Sequence, residues 1–155
     1  GPDTAKAKFE SLTIDPVTRR VTRDVIDAAP QEFPRYDERL TGRPYRYAYV
    51  MALPEDESNG FIAETKLYKH DLGNRTREVH DFGPGRLPGE FVFVPAHDRA
   101  GEDEGWVIGF VADLKTNRSE FVILDAANFT APPVATIYIP YRIPPGFHGN
   151  WVPGA

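Results

Sequence analysis

The chain has no cysteine among its 155 residues. Disulfide bonds, thiolate metal sites and thiol nucleophiles are therefore excluded. Histidine is also scarce, because the whole sequence contains four. A metal site built from imidazoles would have to use most of them, or take ligands from elsewhere.

Long apolar runs and clusters of basic residues are absent as well. No stretch approaches the roughly 20 apolar residues of a membrane-spanning helix, and the N-terminus lacks the pattern of a signal peptide. The net charge is −5, whereas phosphate recognition needs clustered lysine and arginine. We therefore expect a cytoplasmic protein with no membrane span and no nucleic-acid partner.

Several familiar binding and catalytic motifs are incomplete. Residues 83–89 are rich in glycine but lack the Lys-Ser/Thr pair of a phosphate-binding loop, so they predict a long turn. The acidic loop at residues 98–104 lacks the ligand spacing of an EF-hand. No serine sits in a nucleophile elbow. These absences argue against nucleotide binding, calcium binding and serine hydrolysis.

The sequence does contain many short segments with strand character. Hydrophobic residues make up 41 % and charged residues 26 %, which is ordinary for a globular protein with one core. Apolar and aromatic segments alternate with turns rich in glycine, asparagine and aspartate, and no amphipathic helix is evident. The predicted strands are residues 9–14, 20–26, 45–53, 60–68, 76–82, 91–95, 106–112, 121–124 and 134–139.

The spacing of these strands suits a sandwich, a barrel or the blades of a propeller. Residues 90–139 predict four strands in about fifty residues, close to the length of one propeller blade. At roughly 40–50 residues a blade, the chain makes about three blades, whereas propellers close with about four to eight. Open blades would expose strand edges, so we expect a missing N-terminal partner or an assembly.

The tail at residues 143–153 is the most distinctive segment. It places His148 between glycines, after a strand and a run of prolines. Glycine lets a backbone pass close to another group, and proline fixes its direction. This frame favours a histidine that points at a metal, although a lone histidine is more often structural.

Two glutamates stand in settings that could support such a histidine. Glu90 begins an otherwise apolar strand, and Glu32 precedes Phe33 and Pro34. Taken alone, each is better explained as a solvated carboxylate at a strand end or in a loop. A metal-bound imidazole, however, needs its second nitrogen held, and a carboxylate often does this.

Together these segments resemble the carotenoid cleavage oxygenase family. Residues 147–149 and 135–140 resemble its C-terminal end, and residues 89–95 resemble its Gly/Ser-Glu-Pro-x-Phe-Val motif, with Phe91 where proline is usual. Residues 31–37 resemble its Glu-Phe-Pro-Arg/Gln motif. The resemblance extends over about residues 12–153.

The resemblance implies an all-β fold in which residues 1–155 form a single C-terminal segment. That segment would supply about three blades of a seven-bladed β-propeller made of antiparallel four-stranded sheets. Family members are non-haem Fe(II) dioxygenases that use O2 to cleave a conjugated C=C bond of a carotenoid, apocarotenoid or stilbene. The implied partners are O2, the hydrophobic substrate and the missing N-terminal part of the enzyme.

The resemblance also implies roles for individual residues. His148 would be the last of four histidines that bind iron, and Glu90 would hold its outer nitrogen. Glu32 would do the same for a histidine upstream of this chain. The other three histidines are His70, His80 and His97, and each is followed directly by an aspartate. Because aspartate is common where a strand meets a turn, these histidines are expected to be structural.

Two alternatives remain open at this point. Because one histidine cannot make an iron site, the chain could be an inactive β-rich fragment or a degenerate relative. It could also be a small β module that binds a ligand without catalysis, which a closed monomeric fold would favour. Upstream ligand histidines would favour the oxygenase.

Overall fold

Ten β-strands and one 3-10 turn are found in the part of the chain that the computed structural model describes, which is residues 7–55 and 64–154. No helix in that part has the length and hydrophobicity needed to cross a membrane. The strands are β1 (Phe9–Asp15), β2 (Arg20–Asp27), β3 (Gln31–Arg35), β4 (Tyr47–Ala52), β5 (Lys66–Asp71), β6 (Thr76–Asp81), β7 (Arg86–Pro95), β8 (Gly105–Asp113), β9 (Arg118–Asp125) and β10 (Ala135–Ile139). The 3-10 turn is Glu38–Leu40.

The strands form two four-stranded sheets and a two-stranded hairpin. The hairpin is β1–β2, the first sheet has the order β3-β4-β5-β6, and the second has the order β10-β9-β8-β7. All pairs are antiparallel. The predicted all-β fold with antiparallel four-stranded sheets is therefore confirmed. The predicted three blades correspond to two complete sheets and the hairpin.

Three hairpin loops share one pattern of turn chemistry. Each begins with an aspartate whose carboxylate accepts hydrogen bonds from the backbone N–H groups two and three residues later. The last loop residue then adopts a positive φ of 53–54°. The aspartates are Asp15, Asp71 and Asp113, and the positive-φ residues are Arg19, Arg75 and Asn117. Aspartate caps of this kind are a local property of the sequence, which is why these loops were predictable.

Two strands differ from the sequence prediction. β3 was not predicted, because a proline inside a short charged segment argues against a strand. The long turn predicted at residues 83–89 was wrong, since β7 begins at Arg86 and continues through Pro88. Glu90 therefore lies inside a strand instead of at its start. The predicted strand 60–68 lies partly outside the described residues.

The main hydrophobic core lies between the two four-stranded sheets. Its buried residues are Tyr49, Leu67, Phe82, Phe91, Phe93, Val107, Val111, Val122, Leu124, Ala126 and Phe129. Phe129 comes from the connection between β9 and β10, and its ring centroid lies 6.0 Å from that of Tyr49. A smaller cluster of Phe9, Ala48 and Val50 joins the β1–β2 hairpin to the opposite face of β4.

A buried lysine ties the two sheets together. The ammonium of Lys69 donates to the carbonyl of Ala126 at 2.7 Å and to the Asp103 carboxylate at 3.0 Å. It also lies 4.4 Å from the ring centroid of Tyr47. Because β5 carries Lys69 and Ala126 follows β9, these contacts fix how the first sheet sits against the second.

Candidate metal-ligand site

A β-bulge in β7 sets the direction of the Glu90 side chain. The register of β7 against β8 shifts between Pro88 and Phe91, so Gly89 and Glu90 together oppose one residue of β8. Bulges of this kind redirect side chains and are common near functional sites. The Glu90 side chain is 5 % exposed, so its carboxylate needs partners inside the protein.

A second bulge occurs in β3. Glu32 faces Met51 and Arg35 faces Tyr49, and those two residues of β4 share one face of the sheet. Residues three apart in a regular strand would point to opposite faces, so the bulge brings Glu32 and Arg35 to the same side. Within the bulge, Phe33 has a φ of 57°, which is uncommon for a bulky side chain.

The tail after β10 is fixed at two places. Near its start, Ser119 donates its N–H to the Tyr141 carbonyl at 3.2 Å and accepts the Ile143 N–H on its hydroxyl at 2.9 Å. Further on, the N–H of Gly149 donates to Glu90 Oε2 at 2.9 Å. The histidine that precedes Gly149 is thereby carried to the β7 bulge.

The imidazole of His148 meets the Glu90 carboxylate directly. Nδ1 of His148 lies 3.2 Å from Glu90 Oε1. A carboxylate oxygen can only accept, so Nδ1 donates in this hydrogen bond, and in the neutral ring with that tautomer Nε2 holds the lone pair. The ring of Phe33 packs edge-on against the imidazole, with centroids 5.2 Å apart. With Nδ1 held by a carboxylate, Nε2 is the ring nitrogen through which this histidine could bind a metal.

The three residues singled out in the sequence border one space. Glu32, Glu90 and His148 line an open cavity of about 500 Å³, and the His148 side chain is 70 % exposed. Within residues 7–55 and 64–154, the Glu32 carboxylate has no hydrogen-bond partner and no three metal-binding side chains cluster. These residues fit one imidazole ligand and two supporting carboxylates of a metal site.

A second cavity of about 450 Å³ lies beneath the tail. Its walls are largely apolar and include Leu87, Pro88, Phe110, Pro145 and Phe147. Because Glu90 and His148 line this cavity too, they stand where the two spaces meet.

The other histidines have structural partners. His70 donates from Nε2 to Gln31 Oε1 at 2.7 Å, and His80 donates from Nδ1 to the Phe129 carbonyl at 2.9 Å. Both are buried. His97 is exposed and contacts Glu104 in the loop between β7 and β8. The expected structural placement of these histidines agrees with these contacts.

Burial of His70 predicts a loss of stability in mild acid. Burial lowers the pKa of His70 to about 4, whereas an unfolded histidine titrates near 6.5. The unfolded state therefore binds the proton first, and the free energy of unfolding should fall by up to about 3 kcal/mol between about pH 6.5 and pH 4. Burial lowers the pKa of His80 as well, which adds to the same trend.

Urea unfolding at several pH values between 4.5 and 7 would measure this dependence. His70→Gln provides the matched variant, because glutamine is neutral at every pH and can still donate to Gln31. Its unfolding free energy should vary less with pH in that window. An equal pH dependence in the two proteins would contradict the role of His70.

One contact at the site was missed in the sequence. Arg35 was noted as part of a motif but was given no role, yet it donates to Glu90 Oε2 at 3.0 Å and to the Gly149 carbonyl at 2.9 Å. Pro34 was the available signal, since proline inside a strand often marks a bulge. The contact itself depends on the β3 bulge and could not be read from spacing.

Comparison with known proteins gives a consistent result. A model of the retinal pigment epithelial membrane protein family matches residues 2–153. The carotenoid cleavage oxygenase of Mycobacterium tuberculosis is 35 % identical over 155 residues, which covers 96 % of this chain and 30 % of the relative. The apocarotenoid-15,15'-oxygenase of Synechocystis is 36 % identical over 140 residues, covering 90 % of this chain and 28 % of that protein.

A solved structure matches at the level of the fold. The crystal structure of the cobalt-substituted Synechocystis apocarotenoid oxygenase aligns with a TM-score of 0.86 and 35 % sequence identity. The alignment covers 95 % of this chain and 30 % of that one. The chain thus spans about 30 % of the length of the relatives it matches.

Proposed function

The chain belongs to the family of the retinal pigment epithelial membrane protein and the carotenoid cleavage oxygenases, and on that premise we propose that it is the C-terminal part of a non-haem Fe(II)-dependent dioxygenase. The proposed enzyme uses O2 to cleave a conjugated C=C bond of a carotenoid, apocarotenoid or stilbene, and it releases carbonyl products. The remaining ligands are proposed to lie in the missing N-terminal part of the same enzyme.

The contact between His148 and Glu90 carries this proposal. Nε2 of His148 would hold the iron together with three histidines of the missing N-terminal part, and Glu32 would support one of those. A cobalt-substituted form of the Synechocystis oxygenase exists, which supports a metal in this family. When bound, Fe(II) supplies the electrons that activate O2 toward the double bond.

Glu90 has two effects on the ligand. Its Oε1 accepts a hydrogen bond from Nδ1, with the two atoms 3.2 Å apart, and this contact holds the tautomer and the plane of the imidazole. Its negative charge also offsets the charge of a divalent metal that is otherwise bound by neutral rings. The side chain is 5 % exposed, so water competes little for the carboxylate.

The surroundings of His148 suit an apolar substrate. Phe33 packs edge-on against the imidazole, and the ring of Phe147 lies 6.3 Å from that of Phe33. Aromatic walls favour contact with conjugated hydrocarbons. The substrates named for the relatives, carotenoids and apocarotenoids, are of that kind.

Iron loading and product analysis of the full-length protein test the proposal. After anaerobic loading with Fe(II), elemental mass spectrometry should find about one iron per chain. Incubation with O2 and either an apocarotenal or a stilbene should then give aldehyde products, and the substrate that reacts identifies the class. Absence of both iron and products would overturn the proposal.

A non-enzymatic β module or inactive fragment is the competing function. Its support is that, of the four histidines in the chain, His148 alone lies in a ligand motif. Iron bound by the full-length protein but not by the 155-residue chain would favour the oxygenase. Iron bound by neither would favour the module.

Glu90→Gln should weaken Fe(II) binding in the full-length protein by about 10–100-fold, which is the usual effect of removing an outer partner of a metal ligand. Glutamine keeps the shape and one acceptor oxygen but loses the charge. The dissociation constant, measured by competition with a chelator, checks this. Glu104→Gln is the matched control, because Glu104 also contacts a histidine, His97, but in an exposed loop. Equal affinities of the Glu90 and Glu104 variants would count against the proposed role.

A further inference from the structure

Arg35 joins the separate parts of the candidate site. Its side chain is 15 % exposed. Nη1 donates to Glu90 Oε2 at 3.0 Å and to the carbonyl of Gly149 at 2.9 Å. Nη2 donates to Asn150 Oδ1 at 3.1 Å and to the carboxylate of Glu38. One guanidinium thus connects β3, β7 and the tail.

The contacts of Arg35 fix the orientation of the Glu90 carboxylate. Oε2 of Glu90 accepts from both Arg35 and the Gly149 N–H, whereas Oε1 faces His148. The carboxylate cannot rotate without breaking two hydrogen bonds at once. Oε1 of Glu90 is therefore held facing Nδ1 of His148. A fixed carboxylate oxygen at this position fixes the orientation of the imidazole ring.

The same guanidinium fixes the backbone that follows the ligand. The N–H of Gly149 is bound to Glu90 and the carbonyl of Gly149 is bound to Arg35, so the peptide groups on both sides of this residue are held. Arg35 also contacts the side chain of Asn150. Because His148 directly precedes these residues, its main chain has little freedom to shift.

A second arginine, Arg39, makes similar hydrogen bonds at a place away from His148. Arg39 binds the carboxylate of Asp37 and donates to carbonyl groups of the loop at residues 97–101. None of those partners lines the space beside His148. Arg39 therefore makes a comparable number of hydrogen bonds, but these hold a loop and not the candidate site. This makes Arg39 a suitable control for Arg35.

We propose that Arg35 is a positioning residue for the metal ligand, and this inference rests on the proposed function of His148 and Glu90. Its planar guanidinium holds the Glu90 carboxylate and the Gly149 backbone together and so sets the direction in which Nε2 of His148 points. Lysine cannot replace it, because a single ammonium nitrogen lacks the planar fork in which Nη1 reaches Glu90 and Gly149 while Nη2 reaches Glu38 and Asn150.

The test compares the full-length protein with its Arg35→Ala, Arg35→Lys and Arg39→Ala variants. Arg35→Ala should weaken Co(II) binding by about 10–100-fold, the range expected for an outer partner, and should change the visible absorption of the bound Co(II). Free guanidinium at millimolar concentration should partly restore both, whereas ammonium should not. In the metal-free protein, amide exchange at Gly149 should become faster.

The matched variants separate positioning from general stability. Arg39→Ala should leave Co(II) affinity and absorption unchanged even if it lowers the unfolding temperature. If Arg35→Ala does not fold, Arg35→Lys carries the test, and its affinity and Gly149 exchange should still differ from those of the unmodified protein.

Two negative results have different meanings. A full-length protein that binds no Co(II) would overturn the proposed function itself. A protein that binds Co(II) with the same affinity, absorption and Gly149 exchange in every Arg35 variant would overturn the positioning role and leave the function intact.

Discussion

His148→Ala in the full-length protein is expected to abolish the proposed iron binding and the proposed dioxygenase activity. The loss should exceed the ~10–100-fold effect of an outer partner, because the substitution removes the proposed ligand itself. The His148 side chain is 70 % exposed, and its ring contacts are with Phe33 and Glu90. The substitution should therefore change the stability of the metal-free protein little. Iron content and product formation are the measurements.

His97→Ala is the control for this prediction. His97 is likewise exposed and also contacts a glutamate, Glu104, but it lies outside both cavities that His148 lines. Its replacement should leave iron content and activity unchanged. Full iron content and activity in His148→Ala would remove the basis for the ligand assignment.

Phe129→Ala is expected to produce the largest loss of stability, about 3–5 kcal/mol. The side chain is fully buried, and its ring lies between those of Tyr49 and His80, with centroids 6.0 Å from each. Removing it leaves a cavity between the two sheets and loosens the connection that leads to β10 and the tail. Urea denaturation measures the change.

Phe110→Ala provides a comparison with the same change in side chain. Phe110 is 46 % exposed, and its ring lies 5.1 Å from the tilted ring of Phe121 on the face of the sheet that points away from the core. Its removal should cost about 1 kcal/mol, the size of an aromatic pair at a surface. Similar losses in the Phe129 and Phe110 variants would show that the region between the sheets is not a tightly packed core.

Most of the strands could be predicted because their determinants are local. Aspartate caps at Asp15, Asp71 and Asp113 mark the loops, and apolar or aromatic residues fill the segments between them. β3 and the first half of β7 escaped prediction for one reason. Each contains a bulge with glycine or proline nearby, and those residues favour a turn when only neighbours along the chain are considered.

The sequence pointed to His148, Glu90 and Glu32 as residues of the candidate site, but it did not predict the role of Arg35 or the geometry of the site. His148 and Glu90 were paired from motifs, and the structure places Nδ1 and Oε1 3.2 Å apart. Glu32 borders the same cavity, although no partner for it lies in the described residues. The position of Arg35 could not be deduced, because a regular strand would turn it away from Glu32.

The sequence by itself determined the all-β class, the hairpin loops and the family, since composition, turn residues and motifs are properties of the chain alone. Only the tertiary structure decided which oxygen of Glu90 faces His148 and that Arg35 holds the other one. Those contacts join residues more than fifty positions apart. They depend on the bulges in β3 and β7 and on the path of the tail past the sheets. Neither feature can be predicted from residues that are neighbours along the chain.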